Sequence, residues 1–180
     1  MSTILTQNHF ELFSVPQRYE LEREELDARY RELQRSVHPN RFATASERER
    51  LLSVQNAASI NEAYQVLKDP LQRGRYLLEL RGVRVEEQQK TTQDPAFLMQ
   101  QMEFRECLAG VRGEDDPLQA LDDLSRTIRA EHDELEKQLA QKLDNDDNDA
   151  ALDTTLKMQF FIRLQNEVKD MQAELEDELY

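Results

Sequence analysis

Residues 37–42, with the sequence VHPNRF, lie between two segments whose composition favours helices. Upstream, over 19–37, four apolar residues recur at steps of four, three and four, which is the spacing of one face of an amphipathic helix: Leu26, Tyr30, Leu33 and Val37. Pro39 has no backbone donor and disfavours helical geometry at His38, so this helix must end there. The sequence therefore predicts a loop at 38–40 between two helices.

A second helix is predicted from Ser46, which has the spacing of a capping box with Glu49, to Lys68. Its inward-facing stripe comprises Ala57, Ile60, Tyr64 and Leu67. A shorter helix is predicted over 71–80, and Gly82 is well placed as its C-terminal cap. These elements make a first helical domain.

The remainder of the chain predicts a second helical domain. The polar stretch 83–94 has the composition of a linker, and Pro95 after Asp94 suits the first turn of a new helix. Three helices are predicted beyond it, at 95–111, 117–143 and 150–180. Three helices with short connections favour a bundle. We therefore predict an all-α protein with one domain at 1–82, a linker, and a three-helix bundle at 95–180.

Composition excludes several classes of function. The net charge of −14 over 180 residues argues against nucleic acid or an anionic membrane as the main partner, because phosphate binding depends on Lys and Arg. No window is apolar enough to cross a membrane, and the first ten residues do not resemble a signal peptide, so we expect a cytoplasmic protein. Cys107 is the single cysteine, so no disulfide or cysteine-ligated metal is expected within the chain. We also expect no cofactor.

Catalytic and metal-binding motifs are weak. The three histidines are scattered, and neither a Ser or Cys nucleophile motif nor a phosphate-binding glycine loop accompanies them, so we do not expect an enzyme. The acidic run at 144–149 begins like a calcium loop, but its sixth position is Asp149 instead of Gly, and its twelfth is Thr155 instead of Glu. A solvated loop between helices is the better interpretation.

The helix that begins at Pro95 carries apolar residues on two sides. One side forms a core-facing stripe of Phe97, Gln101, Phe104, Leu108 and Val111. The other side carries Leu98, Met99, Met102 and Ala109, together with Glu103 and Glu106. Such a helix is either packed all round or exposes a patch for a partner protein, and the spacing leaves both open. Methionine suits an adaptable contact surface, and Phe160 in the last helix would extend the patch.

A basic strip follows the first long helix. Arg31 and Arg35 are four residues apart on the side away from the apolar stripe, and Arg41 follows in the loop. In so acidic a protein, this strip suits an acidic partner. The alternative is pairing within the helix, for which the available carboxylates are Glu24, Asp27 and Glu32.

The HPNRF loop between two such helices resembles the His-Pro-Asp loop of J domains. More specifically, the chain resembles the HscB family of J-type co-chaperones of bacterial iron–sulfur cluster assembly. Five segments carry this resemblance and cover both predicted domains in order: HFELFSVP at 9–16, YRELQRSVHPNRFA at 30–43, INEAYQVLKDPLQRGRYLLELRGV at 60–83, DPAFLMQQMEFRE at 94–106 and LKMQFFIRL at 156–164.

The resemblance implies an N-terminal J domain joined rigidly to a C-terminal three-helix bundle. It implies that the J domain binds an HscA-type Hsp70 chaperone and stimulates its ATPase, whereas the bundle holds an IscU-type scaffold protein. Carried over by position, the chaperone-binding residues are His38, Pro39, Asn40, Arg31, Arg35 and Arg41. The scaffold-binding residues are Leu98, Met99, Met102, Glu103, Glu106 and Phe160.

Asn40 departs from the family pattern, because J domains carry aspartate at this position. The amide keeps the shape and one acceptor oxygen but removes the charge, and charge-assisted hydrogen bonds are roughly twice as strong as neutral ones. If an arginine of the chaperone binds that carboxylate, the amide loses a hydrogen bond to a charged group that contributes about 1.5–3 kcal/mol. The alternatives are a scaffold-binding protein with weakened J activity and, from another class, a small helical enzyme or metal binder.

Overall fold

The computed structural model describes residues 7–38, 46–84, 92 and 94–178. These residues form helices and no strand, which confirms the all-α prediction. The helices are α1 His9–Phe13, α2 Arg23–Ser36, α3 Glu47–Lys68, α4 Pro70–Leu80, α5 Pro95–Gly110, α6 Pro117–Asp144 and α7 Asn148–Glu178. The chain divides into two compact units, Met1–Gly82 and Val83–Tyr180. Each described helix is too short or too polar to cross a lipid bilayer.

The first unit is organised around the pairing of α2 with α3. The rings of Tyr30 and Tyr64 stack with their centroids 4.0 Å apart, and the Tyr64 hydroxyl donates a hydrogen bond of 2.8 Å to Asp27. Leu26 of α2 and Ile60 of α3 are fully buried beside them. These contacts join the helices that precede and follow the HPNRF segment.

The start of α3 follows the sequence prediction closely. The Glu49 backbone N–H donates to the Ser46 hydroxyl oxygen at 3.4 Å, and the Ser46 N–H donates to the Glu49 carboxylate at 2.9 Å. This reciprocal pair is the predicted capping box. At the far end of the unit, Gly82 follows α4 with a φ of +80°, a left-handed conformation that glycine adopts without strain.

The predicted start of α2 at Tyr19 is wrong by four residues. The helix begins at Arg23, and the preceding turn places Tyr19 in a buried position with the Arg73 guanidinium 4.8 Å from its ring centroid. The sequence prediction also omitted α1, which begins with a capping box between Asn8 and Glu11 and buries two phenylalanines. The position of Tyr19 arises from packing against a residue far away in sequence, whereas the capping box of α1 is a local signal that the sequence prediction missed.

The second unit packs α5 against the hairpin of α6 and α7. Phe161 of α7 is buried at its centre, with edge-to-face contacts to Phe97 at 5.8 Å and Phe104 at 5.3 Å between ring centroids. Such pairs stabilise a core by about 0.5–1.5 kcal/mol beyond their burial. The turn between α6 and α7 includes Asp146, whose φ is +56°. The core of the unit therefore lies on one side of α5.

Candidate functional site

The second apolar side of α5 is exposed. Leu98, Met99 and Met102 are 38%, 65% and 63% exposed, respectively, whereas Phe97 and Phe104 of the same helix are buried. We call Leu98, Met99, Met102, Glu103 and Glu106 the α5 face. Both of its glutamates are exposed. Of the two interpretations left open by the spacing, packing all round does not hold for the described residues.

Phe160 lies where α7 meets α5. Its ring makes edge-to-face contacts with Phe97 at 5.7 Å and with Phe161 at 5.3 Å, and the residue remains half-buried. The Arg105 guanidinium carbon lies 5.7 Å from the centroid of the Phe160 ring, and its Nη1 lies 3.9 Å from a Glu167 oxygen. Phe160 thus has an apolar anchor in the core and an edge available at the surface. No sequence pattern indicated the contact with Arg105.

The N-terminus of α5 is fixed by an ion-paired cap. The Asp94 carboxylate accepts hydrogen bonds from the backbone N–H groups of Ala96 and Phe97, at 3.0 and 3.3 Å. Lys157 of α7 donates to Asp94 at 2.7 Å and lies 3.1 Å from Asp153. A carboxylate at a helix N-terminus also interacts favourably with the helix dipole. The cap therefore attaches the first turn of α5 to α7.

The charges of this cap shift both pKa values. The hydrogen bond from Lys157, followed by that from the Phe97 N–H, holds the pKa of Asp94 below its ordinary value. Burial acts to lower the pKa of Lys157, but its hydrogen bonds to Asp94 and Asp153 outweigh burial and raise that pKa. Both groups are therefore charged throughout the neutral pH range.

The predicted basic strip lies on the exposed surface of α2. Arg31 and Arg35 are exposed, and no carboxylate of a described residue lies within ion-pair distance of either. Two of the three candidate partners within the helix pair with other arginines: Asp27 with Arg23 at 3.0 Å, and Glu32 with Arg29 at 3.5 Å. The two arginines therefore remain available to a partner.

The end of α2 presents His38 at the surface. Val37 is buried, and its carbonyl accepts a hydrogen bond of 2.7 Å from the Ser53 hydroxyl of α3, whereas His38 is exposed. The remaining predicted residues of this site, Pro39, Asn40 and Arg41, lie outside the described residues. The structure therefore places Arg31, Arg35 and His38 on or directly after one helix.

One group of side chains on α6 has the composition of a metal site. Ligand atoms of His132, Asp133 and Glu136 lie within 4.8 Å of one another. Structural zinc sites are closed by four ligands, and in the described part of the chain no fourth His, Cys, Asp or Glu joins this set. The group does not therefore qualify as a structural zinc site.

Comparisons with known proteins agree over nearly the whole chain. A family model described as the HSCB C-terminal oligomerisation domain matches residues 93–169. The co-chaperone protein HscB homolog of Aeromonas hydrophila is 45% identical over 168 residues, which cover 93% of this chain and 98% of that protein.

Solved structures extend the similarity to the fold. The chaperone HscB from Vibrio cholerae superposes with a TM-score of 0.83 at 44% identity, covering 94% of this chain and 99% of that chain. Human co-chaperone protein HscB superposes with a TM-score of 0.85 at 29% identity, covering 93% and 83% of the respective chains. The predicted fold of a J domain followed by a helical bundle is confirmed. The chain therefore belongs to the HscB family of co-chaperones.

Proposed function

We propose that this protein is a co-chaperone of iron–sulfur protein maturation that binds an IscU-type scaffold and delivers it to an HscA-type Hsp70 chaperone. The observation that carries the proposal is the exposure of Leu98, Met99 and Met102 on a helix whose other side is buried. Under this proposal, the protein supplies no chemistry of its own. ATP hydrolysis takes place on the chaperone, which this protein stimulates.

The α5 face and Phe160 have the properties of a scaffold-binding surface. Full burial of one methionine or leucine side chain contributes about 1.5–3 kcal/mol, so a partner that covers Met99 and Met102 gains appreciable free energy. The carboxylates of Glu103 and Glu106 flank these side chains and suit polar contacts at the rim. The face is part of a packed helix, so little conformational entropy is lost on binding.

The basic strip has the properties of a chaperone-binding surface. Arg31 and Arg35, with Arg41 in the following loop, would meet an acidic surface, and charge complementarity of this kind increases the association rate and fixes orientation. His38, Pro39 and Asn40 would then contact the chaperone directly. The absence of ion pairs to Arg31 and Arg35 among the described residues supports this assignment.

Tethering links the two binding events. A co-chaperone that holds the scaffold in one unit and the chaperone in the other raises the effective concentration of the scaffold near the chaperone. Stimulated hydrolysis then favours the chaperone state that binds its client tightly. If scaffold and chaperone binding are coupled, thermodynamic linkage requires that each partner strengthens the binding of the other by the same factor.

Asn40 favours a second candidate function. Without the aspartate charge, the protein would bind the scaffold but stimulate the chaperone weakly. Steady-state ATPase rates of an HscA-type chaperone, measured with this protein in the presence and absence of an IscU-type scaffold, separate the candidates. Stimulation that increases further with scaffold supports delivery, whereas scaffold binding without stimulation supports the second candidate. A protein that fails to bind the scaffold in calorimetry contradicts both.

A further inference from the structure

A groove of about 550 Å³ lies in the second unit beside the α5 face. Its walls come from α5, α6 and α7, and it is open to solvent. Met99 and Glu103 belong both to this groove and to the α5 face, so a partner seated on the face reaches the groove directly. From α6, the residues Glu131, Leu135 and Gln138 also line the groove, and they lie outside the surface described so far.

The groove has an apolar floor. Phe97, Leu135 and Phe161 line it, and all three are buried in the bundle core, so that only their edges contact the open space. The methylene groups of a long side chain pack well against such a floor while the polar end of that side chain remains in water.

The rim of the groove is negatively charged. Three carboxylates and one ammonium group are among the lining residues: Asp94, Glu103, Glu131 and Lys157. The Lys157 ammonium is already engaged by Asp94 at 2.7 Å and by Asp153 at 3.1 Å. Within the described part of the chain, neither Glu103 nor Glu131 has a cation within ion-pair distance. Two carboxylates, one on α5 and one on α6, are therefore available to a cation from outside.

An apolar floor between carboxylates fits a basic side chain. The aliphatic part of an arginine or lysine would cover Phe97 and Leu135, and its charged end would form charge-assisted hydrogen bonds with Glu103 and Glu131. We propose that the groove accepts an arginine or lysine side chain of the scaffold protein, so that the interface extends from α5 onto α6. This inference rests on the proposed function, because the side chain belongs to the same partner.

The Glu131→Gln variant tests the groove, since it removes one charge on α6 and leaves the α5 face intact. We expect an IscU-type scaffold to bind this variant about fivefold more weakly at low ionic strength in calorimetry, with the difference diminishing as salt is added. Glu131→Lys should weaken binding further. Glu134→Gln is the matched control, because Glu134 is an exposed carboxylate of α6 that does not line the groove, and its binding should be unchanged.

A charge exchange provides the positive test. Changing the basic residues of the scaffold one at a time to glutamate should identify one position at which the altered scaffold binds Glu131→Lys more tightly than the unaltered scaffold does. Circular dichroism establishes that each variant is folded.

The failures of the two proposals are distinguishable. If Glu131→Gln and Glu131→Lys bind the scaffold like the unchanged protein, while Met99→Ala with Met102→Ala binds weakly, the groove inference is wrong and the proposed function stands. If Glu134→Gln weakens binding as much as Glu131→Gln, the effect is one of overall charge and the groove inference is wrong as well. If the unchanged protein does not bind the scaffold, both proposals fail.

Discussion

The ammonium group of Lys157 on α7 lies 2.7 Å from the carboxylate of Asp94, the residue that caps α5. Asp94 satisfies two backbone N–H groups of the first turn, and Lys157 is held in turn by Asp153. The helix that bears the exposed methionines is thus attached at its beginning to the neighbouring helix. The position of Leu98 and Met99, within the first turns of α5, depends on this attachment.

Lys157→Met should destabilise the start of α5 without leaving a cavity at position 157. Methionine retains the aliphatic stem but leaves Asp94 without its cation, so the first turn of α5 should fray. We expect the melting temperature to fall by about 2–4 °C in a thermal scan. Lys169→Met serves as the control, because Lys169 is an exposed lysine of α7 that lies far along the helix from Asp94. Equal effects of the two variants would contradict the assignment.

The same ion pair predicts a limited pH dependence. The pKa of Asp94 is lowered in the folded protein, so its contribution to stability is present above its ordinary value of 3.8 and is lost as the pH falls through the folded pKa. The pKa of Lys157 is raised, so its contribution is complete below 10.5 and is lost as the pH rises through the folded pKa. The stability difference between the unchanged protein and Lys157→Met should be constant from about pH 5 to 9 and shrink below about pH 4. Denaturant titrations at several pH values measure it.

The combined change of Leu98, Met99 and Met102 to alanine should abolish most scaffold binding. These side chains contribute the apolar centre of the α5 face, and their loss should weaken binding by about 3 kcal/mol or more, which corresponds to over a hundredfold. Calorimetry with an IscU-type scaffold measures the change. The control is Leu51→Ala with Val54→Ala, because these residues of α3 are similarly exposed, at 59% and 62%. Retained binding by the triple variant would refute the site.

Replacing Arg31 and Arg35 with alanine should reduce stimulation of the chaperone ATPase. Both arginines are exposed, so we expect the concentration for half-maximal stimulation to rise about fivefold at low salt and to change less at high salt. Arg29→Ala is the control, since Arg29 lies elsewhere on α2 and pairs with Glu32. An unchanged stimulation curve for the double variant would mean that the basic strip does not contact the chaperone.

Asn40→Asp should increase stimulation of an HscA-type chaperone. The aspartate carboxylate forms a stronger hydrogen bond than the amide to a cationic donor of the chaperone. We expect the concentration of this protein that gives half-maximal stimulation to fall roughly tenfold. Single-turnover ATPase assays measure this directly. Equal stimulation by the unchanged protein and the Asn40→Asp variant would contradict this prediction. It would show that the chaperone binds the amide as well as the carboxylate.

The extent to which the sequence predicts the structure depends on the range of the interactions. Ser46 and Glu49 are three residues apart, so the capping box at the start of α3 is predictable from local chemistry. The two-sided pattern of α5 is likewise local, and the exposure of Met99 and Met102 resolves its ambiguity. The buried position of Tyr19 depends on Arg73, fifty-four residues away, and no periodicity reports such a contact.

The candidate sites follow the same division. Arg31 and Arg35 share one helix, so their common face is predictable from the sequence. The ion pair between Arg29 and Glu32, which leaves Glu32 unavailable to the strip, is not. The groove could not be predicted, because Glu103 and Glu131 come from different helices and meet only through packing. In an all-α protein, sequence periodicity does not predict surface features that combine residues of several helices.

Met99 and Met102 are 65% and 63% exposed, whereas Met158 in the bundle core is 0% exposed. Peroxide converts a thioether into a polar sulfoxide, and accessible sulfur atoms react before enclosed ones. Among the methionines that the structure describes, oxidation would therefore begin at the α5 face and reach the core last. The product would be a well-folded protein whose α5 face has become hydrophilic. Thermal stability measurements do not detect this change, and storage under reducing conditions prevents it.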